Sequence, residues 1–189
     1  MTYQLTIGGK ATVNSENGLT FTGTYTVAPT DTSGKVTFLI IANDLAGNQL
    51  LQYTVTDGSS VTIDTVPPTI NNVHIISNNI NGAYAKANDV ITLTFTTSKA
   101  VRTTPNVTLA GRVAKVYSTG INAYTANITV LSSDGQGSVN LSIYAQDYAY
   151  NNGSTTAVSD SSYVTIDIVP NFFQNNYFLI QQKCFYGNF

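Results

Sequence analysis

The sequence predicts an all-β protein built of two Greek-key β-sandwich units in tandem, the first lacking its two N-terminal strands, followed by an aromatic tail. Three observations carry this expectation. Apolar and polar residues alternate over short runs, as in Phe21-Thr22-Gly23-Thr24-Tyr25-Thr26-Val27 and Val90-Ile91-Thr92-Leu93-Thr94-Phe95-Thr96, which is the period of a half-buried strand. No window of helical length shows a sustained i, i+3, i+4 apolar pattern. The chain also repeats itself: Val36-Thr37-Phe38-Leu39-Ile40-Ile41-Ala42-Asn43-Asp44 returns 103 positions later as Val139-Asn140-Leu141-Ser142-Ile143-Tyr144-Ala145-Gln146-Asp147.

The same offset carries Val61-Thr62-Ile63-Asp64-Thr65-Val66-Pro67 onto Val164-Thr165-Ile166-Asp167-Ile168-Val169-Pro170, so the units span 1–67 and 68–170. In the second unit the alternation places strands near 70–76, 90–97, 106–109, 113–117, 124–130, 139–146 and 157–166. Turn signals separate the runs, at Asp31-Thr32-Ser33-Gly34, Asn81-Gly82, Asp134-Gly135 and Asn152-Gly153. Seven short strands in a unit of this size read as a sandwich. In the first unit Leu5-Thr6-Ile7 aligns with Val107-Thr108-Leu109, so it has no counterpart of Pro68 through Arg102, the stretch bearing two strands. Their absence leaves the facing sheet's inner side open to water.

Residues 171–189 match neither unit. Seven of the chain's twenty aromatics fall there, at Phe172, Phe173, Tyr177, Phe178, Phe185, Tyr186 and Phe189, together with Leu179 and Ile180. Such a tail is expected to pack against something. Extended, it is long enough for a strand or two, which suggests donation into the open first unit of the next copy. A contact of that kind runs head to tail and builds filaments unless its rotation closes.

Composition narrows the function classes. Charged residues are only 10%, the formal net charge is −2, and eight Lys and Arg are too few and too scattered to track phosphates, so no nucleic acid is expected. Thr, Asn and Ser number 28, 20 and 15, one residue in three, so hydroxyls and amides rather than charges face water. A surface so poor in charge is weakly protected against association, which favours a glycan coat or built-in assembly. No apolar run reaches the length of a membrane span. The opening Met1-Thr2-Tyr3 has no basic segment followed by an apolar one, so the expectation is a removed signal or a piece of a longer chain.

The phrase Asn43-Asp44-Leu45-Ala46-Gly47-Asn48, followed by Val61-Thr62-Ile63-Asp64-Thr65-Val66-Pro67-Pro68-Thr69, resembles the tandem bacterial-type Ig-like repeats of large cell-surface and adhesin proteins. The resemblance covers residues 1–170 and departs at Tyr150, where that family usually has Gly. It implies an extracellular or surface-displayed rod or stalk without catalysis, and Ig-like sandwiches as the fold.

The inventory for chemistry is thin. His74 is the single histidine, between Val73 and Ile75 on a strand, and reads as an outward residue rather than a ligand. Cys184 has no neighbouring activating group in sequence and reads as a small packed side chain. No phosphate loop, nucleophile elbow or paired-Cys zinc spacing occurs, so neither catalysis nor a cofactor is expected. Asp44, Asn48 and Asp64, with Asp147, Asn151 and Asp167 as equivalents, sit at strand ends near the unit boundaries. They could bind calcium there, as some members of that family do, but the capping of turns by Asp and Asn is the favoured reading. Asn106, Asn127, Asn140 and Asn152 begin Asn-x-Ser/Thr triplets, about the number that composition alone yields. By alternation Asn127 and Asn140 are expected to point outward and to be able to carry sugar.

These readings converge on a structural subunit of an extracellular filament or stalk, its partners copies of itself. The rivals are spacer domains of a larger adhesin and an accessory domain of a secreted carbohydrate-active enzyme.

Overall fold

Alternating Thr with Val, Ile, Leu and Phe gives side chains that pack on a pleated surface, and strands form wherever that alternation is sustained. In the computed structural model, which describes residues 2–10, 12–15 and 20–169, every regular element is a strand. The first repeat contributes β1 (Thr2–Ile7), β2 (Thr12–Ser15), β3 (Phe21–Thr24), β4 (Gly34–Lys35), β5 (Phe38–Asn43), β6 (Gln49–Gln52) and β7 (Thr62–Ile63). The second begins with β8 (Ile70–Ser77), β9 (Tyr84–Ala85), β10 (Val90–Thr97), β11 (Asn106–Leu109), β12 (Arg112–Val113) and β13 (Lys115–Gly120). It continues with β14 (Ala123–Thr129), β15 (Gly137–Ser138), β16 (Leu141–Gln146), β17 (Asn152–Thr155) and β18 (Thr165–Ile166). The tail 171–189, with Cys184 and all its aromatics, lies outside the described residues.

The fold is all-β and β-sandwich-like. Two four-stranded sheets run in the orders β13-β14-β10-β8 and β12-β11-β16-β17, beside a small sheet β15-β18-β9 in which β18 and β9 are parallel. In the first repeat the sheets are β1-β5-β6, β2-β3 and β4-β7. Contacts divide the chain into two units. One holds the residues up to Ile70 with Thr97–Pro105 and Tyr144–Thr155; the other holds Asn71–Thr96, Asn106–Ile143 and the described residues from Thr156 on. Two stretches of the second repeat thus group with the first.

The core lies in the second repeat. Ile91, Leu93 and Phe95 on β10 alternate with exposed or half-buried neighbours, as do Val107 and Leu109 on β11 and Leu141, Ile143 and Ala145 on β16. Phe95 stacks on Tyr124, ring centroids 5.4 Å apart.

The expected strand over 157–166 is not formed. The segment 152–155 pairs instead, and only Thr165–Ile166 of the expected stretch is strand. The reason is the tight turn at Asp147–Asn151, which ends early enough for Asn152-Gly153, expected as a turn, to enter the sheet. Gly153 is buried, and a β-carbon there would meet the Pro68 carbonyl oxygen at 1.9 Å, so a side chain has no room.

Backbone conformation repeats along with sequence. Gly47 and Tyr150 hold the same place in the turn at φ 88° and 68°, and Gly8 and Ala110 the same place in the hairpin at φ 57° and 50°. The left-handed region suits Gly and strains Ala. Ala110→Gly is therefore expected to stabilise the second repeat by about 0.5–1 kcal/mol, read as a raised urea midpoint at unchanged slope. Tyr150 holds its position with its ring 4.5 Å from the Arg102 guanidinium carbon.

Candidate functional site

Several turn and ladder bonds recur between the two repeats. Asn48 donates from its backbone and side-chain nitrogens to the two oxygens of Asp44 at 2.8 and 2.7 Å, and Asn151 does the same to Asp147 at 2.9 and 3.0 Å. Asp31 accepts from the Ala28 amide as Asp134 does from Leu131, and Val36 N–H reaches Val61 as Val139 reaches Val164. The β2–β3 ladder pairs Thr24 with Thr12 and Phe21 with Ser15, the register in which β14 pairs Asn127 with Lys115 and Tyr124 with Ser118.

Burial does not repeat. Val107, Leu109, Val130, Leu141, Ile143, Ala145 and Ile166 are all buried, whereas their counterparts Leu5, Ile7, Phe38, Ile40, Ala42 and Ile63 are only half-buried and Val27 is 50% exposed. Among residues 3–10 and 20–67 none is buried. All six residues of β5 are half-buried, where β16 alternates between buried and open. The cause is topological. In the second repeat β10 and β8 complete the sheet that β13 and β14 begin, and among the described residues the first repeat has no counterpart of either. Full burial of a Val, Leu, Ile or Phe is worth about 1.5–3 kcal/mol, so this face leaves unclaimed a sum that matters against the stability of a small domain.

The two parts of the first repeat close partly over the gap. The rings of Tyr3 and Phe21 lie 4.1 Å apart, and Leu5 leans on β3, where a β-carbon at Gly23 would meet its Cδ2 at 2.0 Å. Tyr25 donates its hydroxyl to Asp31, and both groups respond: the carboxylate is held below its usual range by that bond first and by the Ala28 amide second, and the phenol is raised.

Three of the six residues considered for calcium come together, around an ammonium group. Lys99 Nζ lies 2.9 and 2.8 Å from the two Asp64 oxygens, 2.6 Å from the Val66 carbonyl oxygen and 3.3 Å from Asp147 Oδ2. Asn151 Nδ2 bridges the Asp64 carbonyl oxygen and Asp147 Oδ2 at 2.9 and 3.0 Å. Asp64 chiefly raises the Lys99 pKa, and Lys99 chiefly lowers that of Asp64. Burial pushes Asp147 upward, but the bonds from Asn151, Lys99 and the Ala149 amide outweigh it and leave the group lowered. The oxygen cage is filled by the protein's own cation. Asp44 and Asn48 bond each other across their exposed turn, and Asp167 accepts from Gln136 at 3.4 Å. Among the described residues no three His, Cys, Asp or Glu form a metal-holding group.

Lys99 was not singled out by sequence reasoning. Its partners stand 35 and 48 residues away, and the signal that could have flagged it is compositional: a rare cation just after an apolar strand, in a chain of eight Lys and Arg.

Of the four glycosylation candidates, Asn106, Asn140 and Asn152 are exposed, the last accepting bonds from Tyr144 and Gln146. Asn127 differs from its expected outward placement: it is half-buried, with its side-chain oxygen covered and without a hydrogen-bond partner. Alternation gave the correct face, opposite to that of Ala126 and Ile128, but Oδ1 is covered there.

His74 is half-exposed, its Nδ1 2.6 Å from Asp160 Oδ2. Bonds from the Ser162 hydroxyl and amide, then His74, hold the Asp160 carboxyl down at about 2. A folded pKa below the unfolded value of about 3.9 stabilises the protein above that value, and the contribution is lost as pH falls towards 2. Asp160→Asn is expected to flatten the fall of the urea midpoint between about pH 4.5 and 2.

No family model matches the chain, and no curated protein is similar to it. No helix among the described residues is long and apolar enough to cross a membrane, a statement that does not bear on β-barrels.

Proposed function

We propose that the chain is a non-enzymatic structural element of an extracellular filament or stalk, made of two Ig-like sandwich repeats. The incomplete first repeat takes its missing strands from a neighbouring subunit, joining units head to tail. The observation that carries this reading is the contrast between the half-buried Leu5, Ile7, Phe38 and Ile40 and their buried counterparts. The sheet orders β8-β10-β14-β13 and β12-β11-β16-β17 support the Ig-like assignment, since they match the ABED and C′CFG arrangement of that sandwich. Surface display, with sugar on Asn106, Asn140 or Asn152, accords with the charge-poor composition.

Sedimentation and electron microscopy of the full chain over about a hundredfold range of concentration test the reading. Concentration-dependent linear polymers are expected for the native chain, and monomers for Ile40→Asp. A native chain that stays monomeric throughout contradicts it. A second reading, spacer repeats within a larger adhesin, is favoured by Lys99, which ties down the Asp64–Val66 linker as a serial rod requires.

A further inference from the structure

We propose that Arg102 and Tyr150, with Gln146, Asn152 and Tyr144 beside them, form a binding site for a carboxylated sugar. The site lies within one chain and owes nothing to strand completion.

The two repeats part company at this place. Their turns Asp44–Asn48 and Asp147–Asn151 keep the same bonds, yet where the first repeat has Ile41, Leu45 and Gly47 the second has Tyr144, Tyr148 and Tyr150. The three tyrosines are 43, 71 and 61% exposed, so core packing does not account for them. Tyr150 is costly where it stands. Its φ of 68° puts a bulky side chain in the left-handed region, where the first repeat has Gly47 at 88°. Strain of this kind persists only where the surroundings hold it, and it gathers at sites that bind or react.

Contacts run unbroken across the patch. The Arg102 guanidinium carbon lies 4.5 Å from the centre of the Tyr150 ring, and the Arg102 amide donates to the Gln146 carbonyl oxygen at 2.7 Å. Gln146 Nε2 and the Tyr144 hydroxyl, both from β16, donate to Asn152 Oδ1 on β17 at 2.9 and 2.6 Å. All five residues belong to the same unit of the chain, and none is a carboxylate. Of the two arginines, Arg112 is tied to Asp134 at 2.7 Å, whereas the Arg102 guanidinium has no acceptor among the described residues.

A stacked guanidinium is fixed in orientation, and its unspent N–H groups match the two oxygens of a carboxylate. Beside it stand tyrosine rings, whose flat apolar faces suit the C–H face of a sugar ring, and the Gln and Asn amides, which suit its hydroxyls. An acidic sugar joins a carboxylate, a C–H face and hydroxyls in one ligand. An acidic peptide offers the first without the other two.

The test titrates trigalacturonate and sialyllactose, each beside its methyl ester, and an acetylated tetra-aspartate peptide into the full chain, with NMR amide shifts read at Arg102, Gln146, Tyr150 and Asn152. At least one of the acidic sugars is expected to shift those amides, and its methyl ester to bind at least about tenfold more weakly. Tyr150→Gly, which restores the residue of the first repeat, is expected to weaken binding at least about tenfold while its urea midpoint holds or rises. Arg102→Gln is expected to abolish the difference between acid and ester. No shift with either sugar, equal binding of acid and ester, or tighter binding of the aspartate peptide overturns the proposal. So does a Tyr150→Gly chain that binds unchanged, or one whose midpoint falls, since the Arg102 stack is then a brace for the turn. Each of these results leaves the filament reading intact, because polymers are scored separately.

Discussion

Ile143→Ala is expected to lower the stability of the second repeat by about 3 kcal/mol, while Ile40→Ala, the same change 103 positions earlier, costs the first repeat about 1 kcal/mol or less. The two side chains occupy equivalent places on β16 and β5, and sequence propensity does not separate them. Ile143 is 0% exposed, so truncation loses the transfer energy and leaves a cavity that its packed neighbours fill poorly. Ile40 is half-buried on a face that β2 and β3 cover only in part, so water enters where the methyls were and no closed cavity remains. Urea unfolding followed by hydrogen exchange separates the two repeats and reads both costs. If strands are donated in the assembled form, the Ile40→Ala cost rises there towards that of Ile143→Ala.

Lys99→Ala is expected to destabilise the chain by about 2–4 kcal/mol. Asp147 has a side chain only 2% exposed, and removing the ammonium leaves that carboxylate with its amide donors but without a counter-charge, close to Asp64. Breaking one partner of such an arrangement costs more than the intact pair contributes, because the remaining charge stays out of water. Asp44→Ala is the control: Asp44 makes the same bonds to Asn48 that Asp147 makes to Asn151, but in an exposed turn, and its loss is expected to lower the urea midpoint far less than Lys99→Ala does. The pH dependence has a definite sign at both ends. Asp64 and Asp147 have lowered pKa values, so their contribution is present above the unfolded value of about 4 and is lost as pH falls further. Lys99 has a raised pKa, so its contribution is present below about 10.5 and is lost as pH climbs through the folded value. In Lys99→Ala the alkaline loss is expected to disappear.

Much of the architecture could be read from local pattern. The alternation at 90–97 and 106–109 located those strands to the residue, and the 103-residue offset anticipated the paired turns at Asp44–Asn48 and Asp147–Asn151. The weaker burial of the first repeat accords with the alignment of Leu5-Thr6-Ile7 with Val107-Thr108-Leu109, because an aligned repeat reveals which strands have no counterpart. What pattern could not supply depends on distant partners. Asn152-Gly153 has the composition of a turn, and only the close approach to Pro68 makes it a strand that needs Gly. Lys99 is an ordinary lysine until the fold brings Asp64 and Asp147 to it.

Amide hydrogen exchange on the full chain, held dilute so that it stays unassembled, is the most direct test that the first repeat's apolar face is uncovered. Exchange at Leu39, Ile40, Ile41 and Ala42 is expected to run about a hundredfold or more faster than at Ser142, Ile143, Tyr144 and Ala145. Equal protection of the two strands would mean that the face is already covered within a single chain, and the account of strand completion would be wrong.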